Sequence, residues 1–358
     1  MFTLRMLPAA HGDALWIEYG EGGEVHRVLV DGGPEPTHAT LRSRIEALAP
    51  GERHFEALVI THVDADHIGG AVRYLEEGTD ATFGDVWFNG RHHLTEVETL
   101  GPVQGERLSK WLVDHQVPWN EHFAGRAAVL PPDGDPPVCE LPGGLRLTVL
   151  GPGRAQLVAL APEWDATIAK EGLVPTIPPE PRPETPEGVE RLGPPTADEV
   201  RGWAAATPFD GDDTKPNGTS ISLLAEFGGR TVLLTGDAHS DVLTAGIRRV
   251  LPDGQARLVV DAVKLPHHGS RANVDTDLLD VLDCRRFLFS SNGSHYGHPD
   301  REAVARVAVS EGEKELLFNY RTTFNDLWEE QTLREAFTYR TAYGDAPDGF
   351  LLDLSADG

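Results

Sequence analysis

The segment from Thr61 to Gly70 places two imidazoles and two carboxylates within six residues: His62, Asp64, Asp66 and His67. An apolar strand pattern precedes it and a helical pattern follows, so a loop can direct all four side chains inward. Carboxylates held close together repel one another, and a divalent cation removes that conflict. Helix capping is the alternative explanation for a single aspartate, but it does not account for four ligand-type residues at this spacing. The segment therefore predicts a metal site.

Two further places offer side chains of the same kind. Asp237 follows a short apolar run and a glycine, so a buried strand delivers a carboxylate at its end; an ordinary turn aspartate is the alternative. His267 and His268 follow another apolar strand. Because adjacent residues on an extended chain point to opposite sides, we expect one of the pair to bind metal and the other to bind substrate or support the ligands.

Short strands and helices alternate around these residues. The clearest hairpin joins strands at 221–227 and 230–235 through Gly228-Gly229. Other strands are predicted at 14–19, 27–31, 57–61, 145–150, 258–265 and 286–290. Helical spacing is found at 40–48, at 70–77 and from 96 to 123. The pattern predicts an α/β fold.

We expect one domain over residues 1–320, with two insertions. The first, about 91–125, is helical, and the second, about 152–212, is Pro-rich and flexible. Eight prolines lie between residues 172 and 195, and such a composition buries too little apolar area to fold alone. This stretch is either a passive surface loop or a lid over a nearby site. Residues 321–358 are expected to form a C-terminal extension packed on the domain.

Composition excludes several classes of protein. The chain has 358 residues, a formal net charge of -26 and two cysteines, Cys139 and Cys284. A disulfide framework and a cysteine-rich zinc module are therefore excluded, and any metal site must use histidines and carboxylates. No stretch approaches the roughly 20 apolar residues of a membrane span, and a broad basic surface for nucleic acid is absent. The N-terminus does not read as a signal peptide, so we expect a cytoplasmic protein with no membrane partner.

The ordered set of motifs resembles the metallo-β-lactamase fold and, within it, the soluble domain of ComEC-type competence proteins. His62 to His67 matches the signature H-x-[HD]-x-D-H, with Asp64 at the variable third position. The other matching segments are Pro8–Ala14 (with His11 in place of glutamine), Leu29–Gly33, Asn217–Ser220, Leu233–Asp237, Lys264–Ser270 and Tyr296–Pro299. The resemblance runs from about residue 3 to about residue 320, and the ordered set is more specific than any single motif.

The resemblance implies a four-layer αβ/βα sandwich with its site at one edge, where loops of two packed sheets meet. The ligands that it implies are His62 and Asp64 for one metal ion, Asp66 and His67 for a second, a bridging Asp237, and His267 or His268 to complete the second site. Many family members have another histidine where this chain has Asn217 to Ser220, which leaves the first ion with fewer ligands. The cofactor is therefore one or two divalent ions. Zinc suits the ligand set, and Asp64 in place of an imidazole makes manganese compatible.

The chemistry implied is hydrolysis by a metal-activated water, which needs no serine or cysteine nucleophile. Asp66 is a candidate to take the proton of that water. His298 is a candidate donor to a scissile phosphate or carbonyl group, and a structural histidine in a Gly-Pro turn is the alternative. Lys264 is the third catalytic candidate, as a cation for a phosphate group.

Three functions are compatible with these observations. A phosphodiesterase or nuclease follows from the nearest motif subgroup, although the net charge of -26 counts against a nucleic-acid partner. The local cations available for phosphate are Lys264, Arg271, Arg285 and Arg321. A small-molecule hydrolase of a thioester, lactone or phosphoester is not penalised by the acidic surface. The third function is a non-catalytic metal-binding component of a multiprotein system. DNA transport is excluded, because the chain lacks apolar channel segments.

Overall fold

The computed structural model describes residues 1–94, 103–171, 194–206, 209–345 and 347–355. The strands are, in chain order, β1 (Phe2–Met6), β2 (Leu15–Tyr19), β3 (His26–Val30), β4 (His54–Val59), β5 (Thr82–Trp87), β6 (Val138–Glu140), β7 (Arg146–Gly151), β8 (Ser222–Phe227), β9 (Arg230–Leu234), β10 (Leu258–Lys264), β11 (Leu282–Phe289), β12 (Lys314–Phe318), β13 (Tyr339–Tyr343) and β14 (Phe350–Asp353). The helices are α1 (His38–Glu46), α2 (Ala65–Glu76), α3 (Arg91–Leu94), α4 (Val103–Asp114), α5 (Arg154–Glu171), α6 (Ala197–Ala204), α7 (Lys215–Gly218), α8 (Ser240–Arg249), α9 (Thr276–Asp280), α10 (Arg301–Val309) and α11 (Gln331–Phe337).

The strands form two mixed sheets. A six-stranded sheet has the order β14-β1-β2-β3-β4-β5, and an eight-stranded sheet has the order β13-β12-β11-β10-β9-β8-β7-β6. In the first sheet β3, β4 and β5 are parallel. In the second sheet β9 to β13 are parallel. Parallel neighbours need crossover connections, and helices between the strands supply most of them.

Buried apolar side chains lie on both faces of each sheet. Between the sheets, residues such as Ile17 and Val28 pack against Leu223 and Val232. The outer face of the six-stranded sheet is covered by α1, α2, α4 and α5, and the outer face of the eight-stranded sheet by α6 and α8 to α11. Two sheets thus lie between two helical layers. This arrangement confirms the four-layer αβ/βα fold that the resemblance implied.

Most predicted elements are present. The hairpin at Gly228-Gly229 is formed by β8 and β9. α2 begins at Ala65, before the predicted start, because Asp66 and His67 of the signature themselves form its first turn. The motif that carries the chemistry is therefore divided between the end of a strand and the beginning of a helix.

The predicted insertions and extension are placed as follows. The first insertion holds α3 and α4. In the second insertion, the ends of the segment that we expected to be flexible are helical: α5 and α6 occupy them. Apolar residues recur at helical spacing in α5 and are buried with the first helical layer: Leu157, Leu160 and Trp164. This spacing predicts a helix, but the high proline content of the segment led us to expect a flexible loop. Residues 172–193, with most of the prolines, lie outside the described residues. The C-terminal segment supplies α11 and an edge strand of each sheet, β13 and β14.

Two features bear on the excluded protein classes. Within the described ranges, no helix combines the length and the apolar character needed to cross a bilayer. Cys139 and Cys284 are both buried and both unpaired. Neither cysteine takes part in the site described below.

Candidate metal centre

The candidate site lies where the carboxyl ends of parallel strands from both sheets meet, the usual place for a ligand in an open α/β sheet. β3 leads into Asp31 and β4 leads toward His62, while β9 and β10 of the other sheet lead to Asp237 and His268. α2 starts at the same edge and carries His67 in its first turn. The fold thus joins residues from both halves of the sequence.

Asp237 lies at the centre of the cluster. Its Oδ2 atom lies 3.1 Å from His67 Nε2, 3.5 Å from His268 Nε2 and 3.8 Å from His267 Nε2. His268 Nε2 also lies 3.4 Å from Asp66 Oδ2. Asp66, Asp237, His67 and His268 are all buried. Two carboxylates therefore share one small space with three imidazole nitrogens.

His62 and Asp64 form the other side of the cluster. His62 Nε2 lies 3.7 Å from Asp64 Oδ2, and the rings of His62 and His67 are 4.2 Å apart. Asp64 occupies the N-cap position of α2, but its side chain makes no capping hydrogen bond. Capping therefore does not explain this aspartate. The Asp64 side chain is 40% exposed, whereas that of His62 is buried.

Asp31 orients both histidines of the signature. Its Oδ2 accepts hydrogen bonds from His67 Nδ1 and from Thr61 Oγ1, each at 2.8 Å. Thr61 Oγ1 also lies 3.0 Å from His62 Nδ1. Because the threonine proton goes to Asp31, the threonine oxygen accepts the proton of His62 Nδ1. Both Nδ1 atoms are thus engaged, and both Nε2 atoms face the cluster.

Asp13 supports His268 in the same way. Its Oδ1 accepts a hydrogen bond from His268 Nδ1 at 3.1 Å, and its Oδ2 pairs with the ammonium group of Lys264. Potential ligand atoms of Asp13, His67, Asp237 and His268 all lie within 4.8 Å of one another. Since both oxygens of Asp13 are already engaged, we assign it to the orientation of His268 rather than to metal binding.

Lys264 lies behind the site and not at its surface. Its side chain is buried, and its ammonium group contacts Asp13. A lysine in this position offsets the charge of a buried carboxylate, but it does not reach a substrate in the cleft. Lys264 is therefore a positioning residue and not the catalytic residue that the sequence predicts, because strand β10 delivers its side chain into the interior.

His267 and His268 do not lie on an extended chain. Both have left-handed backbone conformations, with φ of 47° and 55°, in the turn Pro266–Gly269. The expectation that they point to opposite sides was therefore wrong, and both Nε2 atoms face Asp237. Such conformations cost about 1–3 kcal/mol each and persist where surrounding contacts hold them. His268 is the deeper of the two and also contacts Asp66, which makes it the better candidate ligand.

A polar network holds His267. Its Nδ1 donates to Asn273 Oδ1 at 2.9 Å and lies 3.5 Å from Asp212 Oδ2. The same Asp212 oxygen accepts hydrogen bonds from Asn217 Nδ2 at 2.6 Å and from Asn273 Nδ2 at 2.9 Å. Burial opposes a charge on His267, but Asp237 and the bond to Asp212 raise its pKa to about 9. The ring is therefore held in one orientation at the edge of the cluster.

The segment Asn217–Ser220 offers hydrogen bonds that orient candidate ligands, and it contains no imidazole. Asn217 binds Asp212, as described above. Ser220 Oγ accepts a hydrogen bond from Asp237 N at 3.1 Å and lies 3.3 Å from His62 Nδ1. Asn217 and Ser220 thus orient candidate ligands, and the His62 side has fewer candidate ligands than the His268 side.

His298 lies at the mouth of the site. Its ring is 5.2 Å from that of His267, and its Nδ1 is 3.5 Å from Asp300 Oδ2. Burial lowers the pKa of His298, although Asp300 acts in the opposite direction. The imidazole is consequently neutral at pH 7 and can donate one hydrogen bond.

The four cations that the sequence singled out have different surroundings. Arg285 pairs with Glu313 and Glu315. Arg321 pairs with Asp326 and Glu329, and Lys264 is buried. Arg271 is exposed, and its backbone N–H donates to the same Asp300 oxygen that lies near His298. Of these four, Arg271 is the one beside the mouth of the site.

The ionisable groups of the cluster determine one another's charge. Burial disfavours a charge on each of them, yet Asp237 and Asp31 raise the pKa of His67 well above its ordinary value. Asp237 and Asp13 likewise raise the pKa of His268. In return, these imidazoles hold the pKa of Asp237 well below its usual range. Protons on the imidazoles therefore balance the carboxylates, and a divalent cation replaces such protons when it binds.

The donor set fits a divalent metal ion. Four buried atoms make no aligned hydrogen bond to any described residue: His62 Nε2, His67 Nε2, His268 Nε2 and Asp237 Oδ1. An unpaired buried polar atom costs about 1–3 kcal/mol. Imidazole nitrogens and carboxylate oxygens are ligands of Zn²⁺, and carboxylates also suit Mn²⁺. A bound ion would satisfy these atoms together.

The structure brings all the predicted metal ligands into one cluster: His62, Asp64, Asp66, His67, Asp237, His267 and His268. Sequence reasoning gave no role to Asp13, Asp31, Asp212 or Asn273. Asp13 and Asp31 stand in motifs that the resemblance identified, and that is the signal by which they could have been found. Asp212 and Asn273 stand in no quoted motif and meet His267 only in the folded chain.

Residues 10–151 match the family model described as "Metallo-beta-lactamase superfamily". The matched part of the chain includes the whole signature from His62 to His67. The chain as a whole has the matching mixed α/β fold. A comparison with curated proteins finds no match.

The chain is also similar to solved structures at low identity. One is the metallo-β-lactamase fold protein YhfI from Bacillus subtilis, at 12% identity over 98% of this chain and 98% of that chain, with a TM-score of 0.41. A second is Zn²⁺-bound PqqB from Methylobacterium extorquens, at 16% identity over 98% of this chain and 100% of that chain, with a TM-score of 0.42.

Proposed function

We propose that this metallo-β-lactamase-fold protein is a metal-dependent hydrolase of small esters, with a phosphodiester as the first substrate class. The observation that carries the proposal is the cluster around Asp237, in which buried imidazole and carboxylate atoms face one another without aligned partners. The superfamily consists mostly of metallo-hydrolases, which supports the same reaction type.

The candidate ligands fall on two sides of Asp237. Asp66, His67 and His268 lie on one side, and His62 and Asp64 on the other. A divalent ion held there supplies an acidified water and polarises an oxygen of the substrate. Asp31 and Asp13 keep the imidazoles oriented through their Nδ1 atoms, so little reorganisation is needed when the ion binds.

Asp66 and His298 are the candidate proton-handling residues. Burial opposes a charge on Asp66, but the contact with the His268 imidazole and the charge of His67 hold its pKa well below the ordinary value. Asp66 is therefore ionised at neutral pH and can accept a proton from the attacking water. The neutral His298 can donate a hydrogen bond to an oxygen of the substrate.

Four observations support a small phosphodiester. The resemblance to the ComEC-type domain favours phosphodiester chemistry, and Asp64 adds a hard oxygen ligand of the kind that suits phosphate-processing sites. Arg271 provides an exposed cation at the mouth. The net charge of -26 repels a long polyanion, so a short substrate is preferred to nucleic acid.

The experiment that tests the proposal combines metal analysis with an activity screen. The purified protein is loaded with Zn²⁺ or Mn²⁺ and offered bis(p-nitrophenyl) phosphate, a thioester and a lactone. We expect one to two ions per chain and hydrolysis of the phosphodiester. Asp66→Ala and Asp237→Ala should lose metal and activity together, whereas His54→Ala, at an exposed position on β4, should lose neither. A metal-free protein after reconstitution would overturn the proposal.

A small-molecule thioester or lactone hydrolase is the second candidate. The carboxylate of Asp64 is 40% exposed at the mouth, and a negative charge there favours an uncharged ester over a phosphodiester. Turnover of a thioester or lactone without phosphodiester cleavage under either metal would select this function. If a metal-loaded protein hydrolyses none of the three, the domain is a non-catalytic metal-binding component.

A further inference from the structure

Exposed aromatic side chains gather beside the metal centre. Three exposed large side chains of the described ranges carry an aromatic ring: Phe209 (36%), Phe324 (39%) and Tyr296 (53%). Two of them meet at the loop 291–298. A Cβ atom at Gly293 would lie 2.4 Å from the Phe324 ring, so Phe324 packs directly on this loop. Tyr296 lies near the tip of the same loop. The rest of the site uses neither ring.

The ring of Tyr296 connects the surface with the metal centre. It lies 5.9 Å from the ring of His298, which in turn is 6.5 Å from the ring of His268. On the other side, the His295 ring is 4.3 Å from Tyr296 and 4.9 Å from His11. We call Tyr296, His295 and His11 the aromatic rim.

The aromatic rim is held in place before a ligand binds. Asn292 N donates to Ala10 O at 2.9 Å, which ties the loop of Tyr296 to the loop of His11. Ala10 N donates to Tyr320 Oη at 2.8 Å, which fixes the second loop on the eight-stranded sheet. A preformed surface loses little conformational entropy on binding, so its contacts contribute fully to affinity.

The Tyr296 hydroxyl is uncharged at the pH of any ordinary assay. Burial of the hydroxyl and the nearby carboxylates of Asp66, Asp64 and Asp237 raise the pKa of Tyr296 to about 12. Tyr296 therefore offers a flat, uncharged ring surface beside the proposed reaction site.

We propose that the aromatic rim binds a planar aromatic group of the substrate by stacking, so that the preferred substrates are aryl or nucleoside esters and not alkyl esters. This inference rests on the proposed ester hydrolysis at the adjacent centre. It is favoured by the position of Tyr296, whose exposed ring lies within two ring contacts of His268. Stacking of aromatic rings is a sequence-independent way to hold such a group, and it does not need the basic surface that this chain lacks.

The test uses two probes that are not hydrolysed and differ only in the ring: phenylphosphonate and methylphosphonate. Their affinities for the Zn²⁺-loaded protein are measured by calorimetry. We expect phenylphosphonate to bind about tenfold more tightly. Tyr296→Ala should remove most of that preference and change the affinity for methylphosphonate by less than about twofold. Tyr296→Phe should keep the preference for phenylphosphonate. Phe209→Ala is the matched control, because Phe209 is an exposed aromatic residue whose ring packs against the Arg306 guanidinium, and this variant should keep the preference.

The outcomes separate this inference from the proposed function. Equal binding of both probes, or a preference that survives Tyr296→Ala, overturns the stacking site even if the protein hydrolyses esters. A preference that depends on Tyr296 supports the stacking site even if no ester is hydrolysed. In that case the proposed ester hydrolysis is wrong and the stacking site stands. Binding of neither probe overturns the inference.

Discussion

The two sides of the metal centre are built in different ways. On one side, His67 and His268 are buried, lie close to Asp237, and are each fixed by a buried carboxylate, Asp31 or Asp13. On the other side, His62 is buried but its neighbour Asp64 is 40% exposed. Ser220, rather than a further imidazole, lies beside His62, so that side has fewer candidate ligands.

The difference predicts unequal affinities for metal. A ligand that is held in one orientation loses less entropy when it binds an ion, and its hydrogen-bonded carboxylate raises its basicity. We therefore expect the side of His67 and His268 to bind one ion tightly and the side of His62 and Asp64 to bind a second ion weakly. Variants on the two sides test this comparison, and a variant at the mouth of the site follows them, in order of decreasing effect.

The largest effect is expected for Asp237→Ala. Asp237 directly contacts the imidazoles of the side that we expect to bind metal tightly, that of His67 and His268. Its backbone N–H donates to Ser220 Oγ, next to His62. Its loss should weaken metal binding more than about 100-fold, beyond the 10–100-fold typical of supporting residues. Calorimetric titration of the metal-free variant with Zn²⁺ measures this loss of affinity. Retention of one tight ion would show that Asp237 is not the centre of the cluster.

Asp13→Ala separates support of a ligand from stability. The variant leaves Lys264 buried and unpaired, so the free energy of unfolding should fall by about 3–5 kcal/mol, and tight-ion affinity by about 10–100-fold. The double variant Asp13→Ala/Lys264→Met removes both charges. It should regain most of the stability in a urea titration but not the affinity. If it regains the affinity as well, Asp13 does not orient His268.

Asp64→Ala should affect the weak side alone. Because the side chain is exposed, the free energy of unfolding should change by less than about 0.5 kcal/mol. Elemental analysis after dialysis against metal-containing buffer should show loss of the second ion and retention of the first. Asp66→Ala is the matched comparison on the buried side, and it should lose the tight ion. Equal losses in the two variants would contradict the difference between the sides.

Arg271→Gln should have the smallest effect, since this exposed cation lies outside the ligand set. We expect kcat/KM for a phosphodiester to fall about fivefold, the size of an exposed charge interaction of about 1 kcal/mol. Hydrolysis of an uncharged thioester should not change. An equal fall for both substrates in parallel kinetic assays would mean that Arg271 does not act on the phosphate charge.

Local sequence was sufficient for the residues that lie together in the chain. His62 to His67 could be recognised because a strand, a turn and a helix start bring them together without long-range contacts. The four-layer fold was implied by the family resemblance that the ordered motifs carry. Asp237 and His268 could be named as candidates because buried strands end just before them.

The remaining parts of the site depend on contacts between distant residues. Asp13 and His268 are separated by 255 positions, so no local pattern shows that one orients the other. Left-handed conformations such as those of His267 and His268 are uncommon for residues other than glycine, which is why an extended chain was expected. The role of Lys264 also depends on a long-range contact, because only the folded protein shows its ammonium group paired with Asp13.

The most direct test of the account is a titration of the metal-free wild-type protein with Zn²⁺, followed by calorimetry and by elemental analysis after dialysis against a weak chelator. We predict two binding events of clearly different affinity, with one ion retained per chain after dialysis. In His62→Ala the tight event should persist, and in His268→Ala it should be lost. Two events of equal affinity, or a tight event that is lost with His62 and kept without His268, would contradict the account.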